Sequence, residues 1–410
     1  PDALALLLPA LAVLGHLVSK IRGVERRALE HKTRANVLPA IPTRVAAYTQ
    51  ARRAPAGGVE PVKSFEHGYL HEMPISHGLV SSMRLLGEFK GREGLYARQS
   101  PEVLETLRRA ALVQSVESSN RIEGVTVAVG RIDPLVLKRS KPRDRSEEEI
   151  SGYRDALAKI HADPPRLSLS TDEIRSLHRD IYRYTNETGG RWKRRDNAIL
   201  EVRPDGRQVI RFRPVSALAT PKCMRRLVEL HAREMGSAKI DPLLLAAVFV
   251  LDFECIHPFT DGNGRVGRLL TLLLLYQCGY GVGRYISLER IVEQSKETYY
   301  EALYRSSQEW HEGRHDLRPW VEYFLGVLIA AYNDFEARVG TIASAKGAKR
   351  ALVKNAIAHL PSRFTIGELG RVCKGISRRT LIRALYDLRS EGVLRCVGRG
   401  PNAQWERLGR

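Results

Sequence analysis

Apolar residues recur at helical spacing along most of this chain. Ser76 opens one such run, and Pro101 opens a second that reaches Glu123. A third covers 147–161, and the stretch 133–142 before it reads as a loop. The spacing predicts a further helix over 171–182, with Thr171 as N-cap and Glu173 in its first turn. The period then changes. Residues 198–202 and 208–212 are short extended runs on either side of Arg203-Pro204-Asp205-Gly206-Arg207, whose Pro-Asp-Gly centre is a turn signal. This predicts a β-hairpin in an otherwise helical protein. Helical spacing resumes over 217–234, 241–256, 265–278, 287–310 and 317–338.

The two ends differ from this body. Residues 1–65 carry ten Lys or Arg against four acids, with loop signals at Pro39, Pro42 and from Pro55 to Gly58, and predict loose structure. The apolar run 3–18 is short for a membrane span and lacks a basic leader region. It reads as a poorly placed helix or a non-native leader, and no membrane anchor is expected. Small and polar residues over 341–349 suggest a linker. Beyond it, helices are predicted at 350–359, 365–372 and 377–391, the last closing at Gly392. Strand-like runs at 393–397 and 404–408 flank Gly398-Arg399-Gly400. Three helices and a small hairpin follow the order of a winged helix-turn-helix.

The formal charge of +20 favours polyanionic partners such as nucleic acid, nucleotides or acidic protein surfaces, and does not choose among them. Five cysteines, at 223, 255, 278, 373 and 396, form no CxxC pair. That argues against a zinc site or disulfide framework and fits a reducing cytoplasm.

The densest chemistry lies in 257–268, His-Pro-Phe-Thr-Asp-Gly-Asn-Gly-Arg-Val-Gly-Arg. An apolar helix must stop at His257-Pro258, because Pro258 has no N–H to donate. A glycine-rich loop then enters a second apolar helix, whose unpaired N–H groups and dipole favour an anion. Arg265 and Arg268 are three residues apart, so both guanidiniums are expected on one polyphosphate. Asp261 offers the hard oxygen that Mg²⁺ takes, and His257 is of the residue type suited to take a proton in catalysis. Each feature alone is commonplace, whereas their joint occurrence is not.

This segment resembles the Fic family signature, HxFx(D/E)GNGRxxR, at every fixed position, and departs from the phosphorylating Doc type at the glycines. The resemblance implies a mainly α Fic-type helical bundle with a β-hairpin flap, and transfer of AMP from ATP to a Ser, Thr or Tyr hydroxyl of a target protein or of the chain itself. It implies His257 as general base, Phe259 as a hydrophobic anchor and Asp261 as ligand of Mg²⁺ or Mn²⁺. Gly262, Asn263 and Gly264 would form the anion hole. Arg265 would touch the phosphate chain and Arg268 the γ-phosphate. The hairpin would be the flap that clamps the target, approached through Gly190-Arg191-Trp192-Lys193. Tyr299 and Tyr300 would line the adenine pocket, although Ser295-Lys296 stands where the family often has Asn-Arg. Transfer of UMP, phosphocholine or phosphate is the alternative chemistry at the same loop.

Ser119-Asn120-Arg121-Ile122-Glu123-Gly124 resembles the family's inhibitory motif, (S/T)xxxE(G/N). Ser119 and Glu123 are one helical turn apart and Gly124 ends the helix. The resemblance implies that Glu123 pairs with Arg268 and so keeps it from the γ-phosphate. The motif precedes the loop, which is the class II arrangement. Some family members with this Glu also remove AMP. The resemblance covers about residues 66–335 and suggests a helical N-terminal region over 66–145, a catalytic core over 146–340, the linker 341–349 and a winged helix over 350–410. In that last module twelve Lys or Arg stand against four acids over 351–410. Arg378, Arg379 and Arg383 on its third helix, with Arg399 and Arg395 on the wing, are candidate DNA contacts. The rival function is a nucleotide-sensing, DNA-binding regulator with little transfer activity. A homodimer is compatible with either reading.

Overall fold

Two helices that are apolar on every side dictate the centre of the fold, since such helices can only be buried all round. In the computed structural model they are α7 (Pro242–Ile256) and α8 (Asn263–Gln277), and every residue of α7 from Leu243 onward is buried. The structure describes residues 62–343 except 67, 100, 129, 163–166 and 203–206, and most of 353–408. The apolar run 3–18, nearly all of 1–65, the hairpin turn 203–206, residues 344–349 of the expected linker and Arg399 lie outside the described residues, whereas 341–343, expected as linker, continue a helix that ends at Ala343.

Around this pair stand α1 (His77–Gln99), α2 (Pro101–Ile122), the short α3 (Ile132–Val136), α4 (Arg145–Ala162), α5 (Thr171–Ile181) and α6 (Thr220–Ser237). Downstream come α9 (Leu288–Gln294), α10 (Lys296–Ser307) and α11 (Arg318–Ala343). α8 meets α2, α4, α5 and α7, so the residues of its first turn face three flanking helices at once. β1 (Ile199–Val202) and β2 (Gln208–Phe212) pair antiparallel as the predicted hairpin, and β2 packs beside α10. No helix among the described residues is long and apolar enough to cross a membrane.

Three local readings change. The predicted loop 133–142 holds α3, because Pro134 sits in a first helical turn, where its missing N–H costs nothing. The cap of α5 is Ser170 rather than Thr171, its side chain accepting from the N–H of Glu173. The run 287–310 is two helices, broken at Ser295, whose Oγ bonds back to the carbonyl of Ile291.

The C-terminal part has its own buried cluster, including Phe364, Leu381, Leu385, Leu388, Leu394 and Trp405. Thr365 and Glu368 form a capping box on α12 (Ile366–Val372), and Ser377 caps α13 (Arg378–Ser390). The sequence reading missed β3 (Arg363–Thr365). It joins β4 (Leu394–Val397) and β5 (Gln404–Arg407) in a sheet of order β3-β5-β4.

Candidate functional site

The loop between α7 and α8 is shaped by its own side chains. His257 closes α7 in the left-handed region at φ 49°, its N–H bonded to the carbonyl of Phe253. A branched residue would be strained there. Pro258 and Phe259 then turn the chain. Phe259 is fully buried, stacked on the His178 ring at 3.8 Å and tilted against Trp192 at 5.1 Å, as an anchor should be. The Asn263 side chain spends both its groups on Phe259. Oδ1 accepts from the Phe259 N–H at 2.8 Å, and Nδ2 donates to its carbonyl at 2.8 Å. Asn263 can therefore meet an anion only through its backbone. Gly262, at φ 77°, gives α8 no side-chain cap, so the N–H groups of its first turn have no intrahelical partner.

Asp261 is the exposed acid of the loop. Its Oδ1 accepts from the Gly262 N–H at 2.7 Å and its Oδ2 from the Tyr182 hydroxyl at 2.9 Å. Burial pushes its carboxyl up, but Arg265, Tyr182 and Gly262 together pull it below the usual range, so it is ionised at neutrality. His178 braces the same turn. The Gly190 N–H donates to Nδ1 at 2.7 Å, which leaves Nε2–H to donate to the Asp261 carbonyl at 3.0 Å. Burial pulls this imidazole down to about 4 and keeps it neutral. Among the described residues no group of three or more His, Cys, Asp or Glu could hold a metal ion. Asp261 would therefore be a lone protein carboxylate on a cation ligated mainly by phosphate and water.

The two arginines do not share one ligand, contrary to the expectation from their spacing. Arg265 is 1% exposed and bound to Glu149 at 2.5 Å and to the Tyr182 hydroxyl at 2.8 Å. Helices α4 and α5 claim it as a strut, and its guanidinium is not open to phosphate. Arg268 turns instead to α2. Nε donates to Ser119 Oγ at 2.9 Å, and NH2 donates to the Ser119 carbonyl at 2.9 Å and to Glu123 Oε1 at 2.7 Å. Its NH1 is buried without a partner.

Glu123 sits just beyond α2, where Gly124 at φ 81° ends the helix and the N–H of Val125 bonds back to Asn120. Its Oε1 lies so close to Gly264 that a Cβ there would collide with it. The carboxylate thus covers the start of α8 as well as pairing with Arg268. Lys296, noted in the sequence only as a departure from the family pattern, donates to the carbonyl of Ile122 at 2.9 Å and so ties α10 to the end of α2.

His257 is 6% exposed, and both ring nitrogens are buried without a hydrogen bond. Glu254, one turn earlier on α7, holds Oε2 3.5 Å from His257 Nδ1. Tyr299 is buried against Trp320 and Tyr323, while Tyr300 is half-buried with its ring edge-on to Tyr299. Of the pair, only Tyr300 keeps a partly open face. The sequence reading missed Glu149, His178, Tyr182, Glu254 and Lys193. The Lys193 Nζ donates to the Ile256 carbonyl at 3.0 Å and its N–H to Pro258 at 2.9 Å, which pins the turn at His257. Only Lys193 carried a signal, as part of the Gly-Arg-Trp-Lys segment.

On α13, Arg378, Arg379 and Arg383 are exposed and make no ion pair with any described residue. Ile382 and Tyr386 are exposed beside them. Arg395 is not free for phosphate as expected. It shares Glu406 with Arg363 across the sheet.

Comparison with known proteins agrees with this site. The Fic/DOC family model matches residues 168–275, which contain the loop and its braces on α5. The protein adenylyltransferase Fic of Drosophila persimilis is 28% identical over 238 residues, 57% of this chain and 42% of the relative. That of Drosophila melanogaster is 27% identical over 238 residues, 57% and 44%. The chain thus spans less than half the length of these curated relatives. A Fic family protein from Desulfovibrio desulfuricans superposes with TM-score 0.56 at 21% identity, over 82% of this chain and 98% of that one. A Fic domain containing signaling protein from Bacteroides thetaiotaomicron superposes with TM-score 0.51 at 23% identity, over 62% and 97%. At such identities these two likenesses speak for the fold alone. The signature loop thus lies within the segment that matches the Fic/DOC family, on a fold similar to those of the two Fic structures.

Proposed function

We propose that this chain is a protein adenylyltransferase that moves AMP from ATP to a hydroxyl of a target protein and is held inactive by Glu123. The observation that carries the reading is the pairing of Arg268 with Ser119 and Glu123 directly over Gly264. A carboxylate lying on an anion site and neutralising its best phosphate ligand is a competitor for the triphosphate. The same pairing has no evident use in a loop that binds no anion.

With Glu123 displaced, Arg268 would hold the γ-phosphate and the first-turn N–H groups of α8 would receive the phosphate chain. Asp261 fits Mg²⁺ or Mn²⁺, being ionised, exposed and fixed by two donors. Bound there, the cation would neutralise phosphate charge. His257 would take the proton of the target hydroxyl. That oxygen would attack the α-phosphorus in line, forming a P–O bond as the bond to the β-phosphate oxygen breaks and pyrophosphate leaves. Arg265 supports the step from behind, by fixing Tyr182 and through it Asp261. The β1–β2 hairpin would carry the target chain by strand addition, and Tyr300 would meet the base. Removal of AMP by water held on Glu123 is a second activity that the same geometry would serve.

The C-terminal order of helices and sheet supports a winged helix from about 350, after a linker that begins beyond Ala343. The arginines of α13, exposed and unpaired among the described residues, favour DNA as its partner. In that case the chain couples transfer to a regulator, or acts as a regulator alone.

Incubating Glu123→Gly with ATP labelled at the α or the γ position decides among these. Label incorporated from the α position only is the expected result. Label from the γ position means phosphate transfer. No transfer from either leaves the nucleotide-sensing regulator.

A further inference from the structure

Three neighbouring atoms in this site are buried without a hydrogen bond: both ring nitrogens of His257, and Oε1 of Glu254. Such groups are rare, because each costs its desolvation without return. They belong together. Glu254 precedes His257 by three residues on α7, and its Oε2 is 3.5 Å from Nδ1. The carboxylate is held in place by shape. It packs on the Cα of Gly267, where any Cβ would collide with Oε1. Gly267 is one of the variable positions of the loop signature, and here it leaves room for this side chain.

We propose that Glu254 is a positioning residue for His257. It accepts Nδ1–H, fixes the tautomer that leaves Nε2 free to take a proton, and stabilises the imidazolium once that proton has arrived. The inference rests on the reading of His257 as general base. The tautomer of a histidine is set by the hydrogen bond made at its other nitrogen, and Glu254 is the acid in ion-pair range of Nδ1 among the described residues. The present 3.5 Å is longer than a hydrogen bond, and catalytic contacts commonly tighten once substrate is bound.

Among the described residues no Lys or Arg stands in ion-pair range of this carboxylate. Arg268 on α8 turns its Nε and NH2 to Ser119 and Glu123, and its ion pair is with Glu123. The other titratable groups in its field are Tyr299 and Cys255. Burial first, and the charge of Glu254 after it, hold the Tyr299 phenol above its ordinary value. Burial, Asp252 and Glu254 do the same for the Cys255 thiol. Neither gives Glu254 a positive partner, which leaves the imidazole as the group it can serve.

Histidine side-chain NMR of the full chain reads the tautomer directly. The His257 signals are assigned by their loss in His257→Ala. The expected result is an Nδ1–H tautomer in the unmodified sequence and a shift toward Nε2–H in Glu254→Gln, whose amide can also donate. An Nε2–H tautomer in the unmodified sequence overturns the proposal, and so does a His257 spectrum that Glu254→Gln leaves unchanged. If Glu254→Gln fails to fold, Glu254→Asp keeps the charge but withdraws it from the ring, and the same shift is expected.

Kinetics supply the second readout. In the Glu123→Gly background, Glu254→Gln should lower kcat about tenfold to a hundredfold, within the range of general-base effects, with KM for ATP nearly unchanged. The acid limb of kcat/KM should move to lower pH, because the imidazolium has lost its counter-charge. A superimposable pH profile in an active background counts against Glu254 alone. An inert Glu123→Gly protein counts against the transferase reading, while the tautomer measurement still decides the role of Glu254.

Discussion

Arginine is used in two opposite ways in this molecule. On α8, Arg265 and Arg268 are almost fully buried and nearly every donor is assigned, to Glu149 and Tyr182 in one case and to Ser119 and Glu123 in the other. On α13, Arg378, Arg379 and Arg383 are exposed and unpaired among the described residues. The first pair acts at contact distance and in one geometry. The second set acts through its field, which salt screens over roughly 10 Å. Equal formal charge therefore says little about role. Desolvation makes a guanidinium either a strut or a switch, and which one it becomes depends on whether its acid partner can leave.

The largest effect should come from attacking the strut. Glu149→Leu leaves the buried Arg265 guanidinium with the Tyr182 hydroxyl and the more distant Asp261 carboxylate at 3.8 Å, and breaking a buried pair by removing one partner costs about 3–5 kcal/mol. The double variant Glu149→Leu, Arg265→Met should recover most of that stability, since no charge is stranded. Thermal or denaturant melting of the four proteins checks this. Additive losses in the cycle would mean the pair is not coupled, and the contrast with α13 would fail.

The switch should respond in activity rather than stability. Glu123 is part-exposed, so Glu123→Gly should shift the melting temperature little. Freeing Arg268 should raise label transfer from α-labelled ATP about 10²- to 10³-fold, the scale of one preorganised anion ligand. Adding Arg268→Ala to that background should return activity to its starting level. If Arg268→Ala instead melts the protein as Glu149→Leu does, Arg268 is a second strut and the division proposed for α8 is wrong.

The third effect concerns pH. His231 lies edge-on to Phe65 and Phe249, and burial pulls its imidazole down to about 4. Its pKa is lower in the folded chain than in the unfolded one. It therefore contributes stability that is complete above about 6.5 and is lost as pH falls toward 4. His161 and His315 are lowered to about 4 in the same way. Asp252 has the opposite sign. Burial raises its carboxyl to about 7, so its contribution is present at low pH and lost as pH rises through about 7. The histidines outnumber it, so stability should rise from pH 4 to 6.5 and then level off. His231→Phe should flatten that rise by about 2–3 kcal/mol, measured as melting against pH. His161, His231, His315 and Asp252 all lie in the helical body before residue 343, so the dependence argued from them belongs to that part of the chain.

The sequence revealed the elements and the loop well, because both are local. Pro258, the glycines and the two apolar helices announce themselves in order, and the spacing of Ser119 and Glu123 is one turn. It misjudged Arg265 for the same reason. A three-residue separation fixes the angle between two side chains, but their destinations were set by Glu149 and Tyr182, more than eighty residues upstream on other helices. His178 and Glu254 were missed because a histidine or glutamate inside an amphipathic run looks like any solvated position until the fold buries it. The break at Ser295 was invisible because one back-bonding hydroxyl decides it. What sequence cannot supply is the partner, and partners turn charge into function.

The smallest effect on stability, and the sharpest test of the exposed set, comes from α13. Arg378→Ala and Arg379→Ala remove charges at the first turn of an exposed helix, and together should change melting by no more than about 0.5 kcal/mol. Their effect should appear in binding to a duplex of random sequence. Each phosphate contact contributes about 0.9 to the slope of log affinity against log salt, so losing two should make that slope shallower by about 1.8. Affinity should fall most at low salt and converge with the parent at high salt. If the slope is unchanged, these arginines do not meet phosphate. Ile382 and Tyr386, exposed on the same helix, would then mark the face as one that docks protein, and the field of α13 would serve to steer an acidic partner toward it.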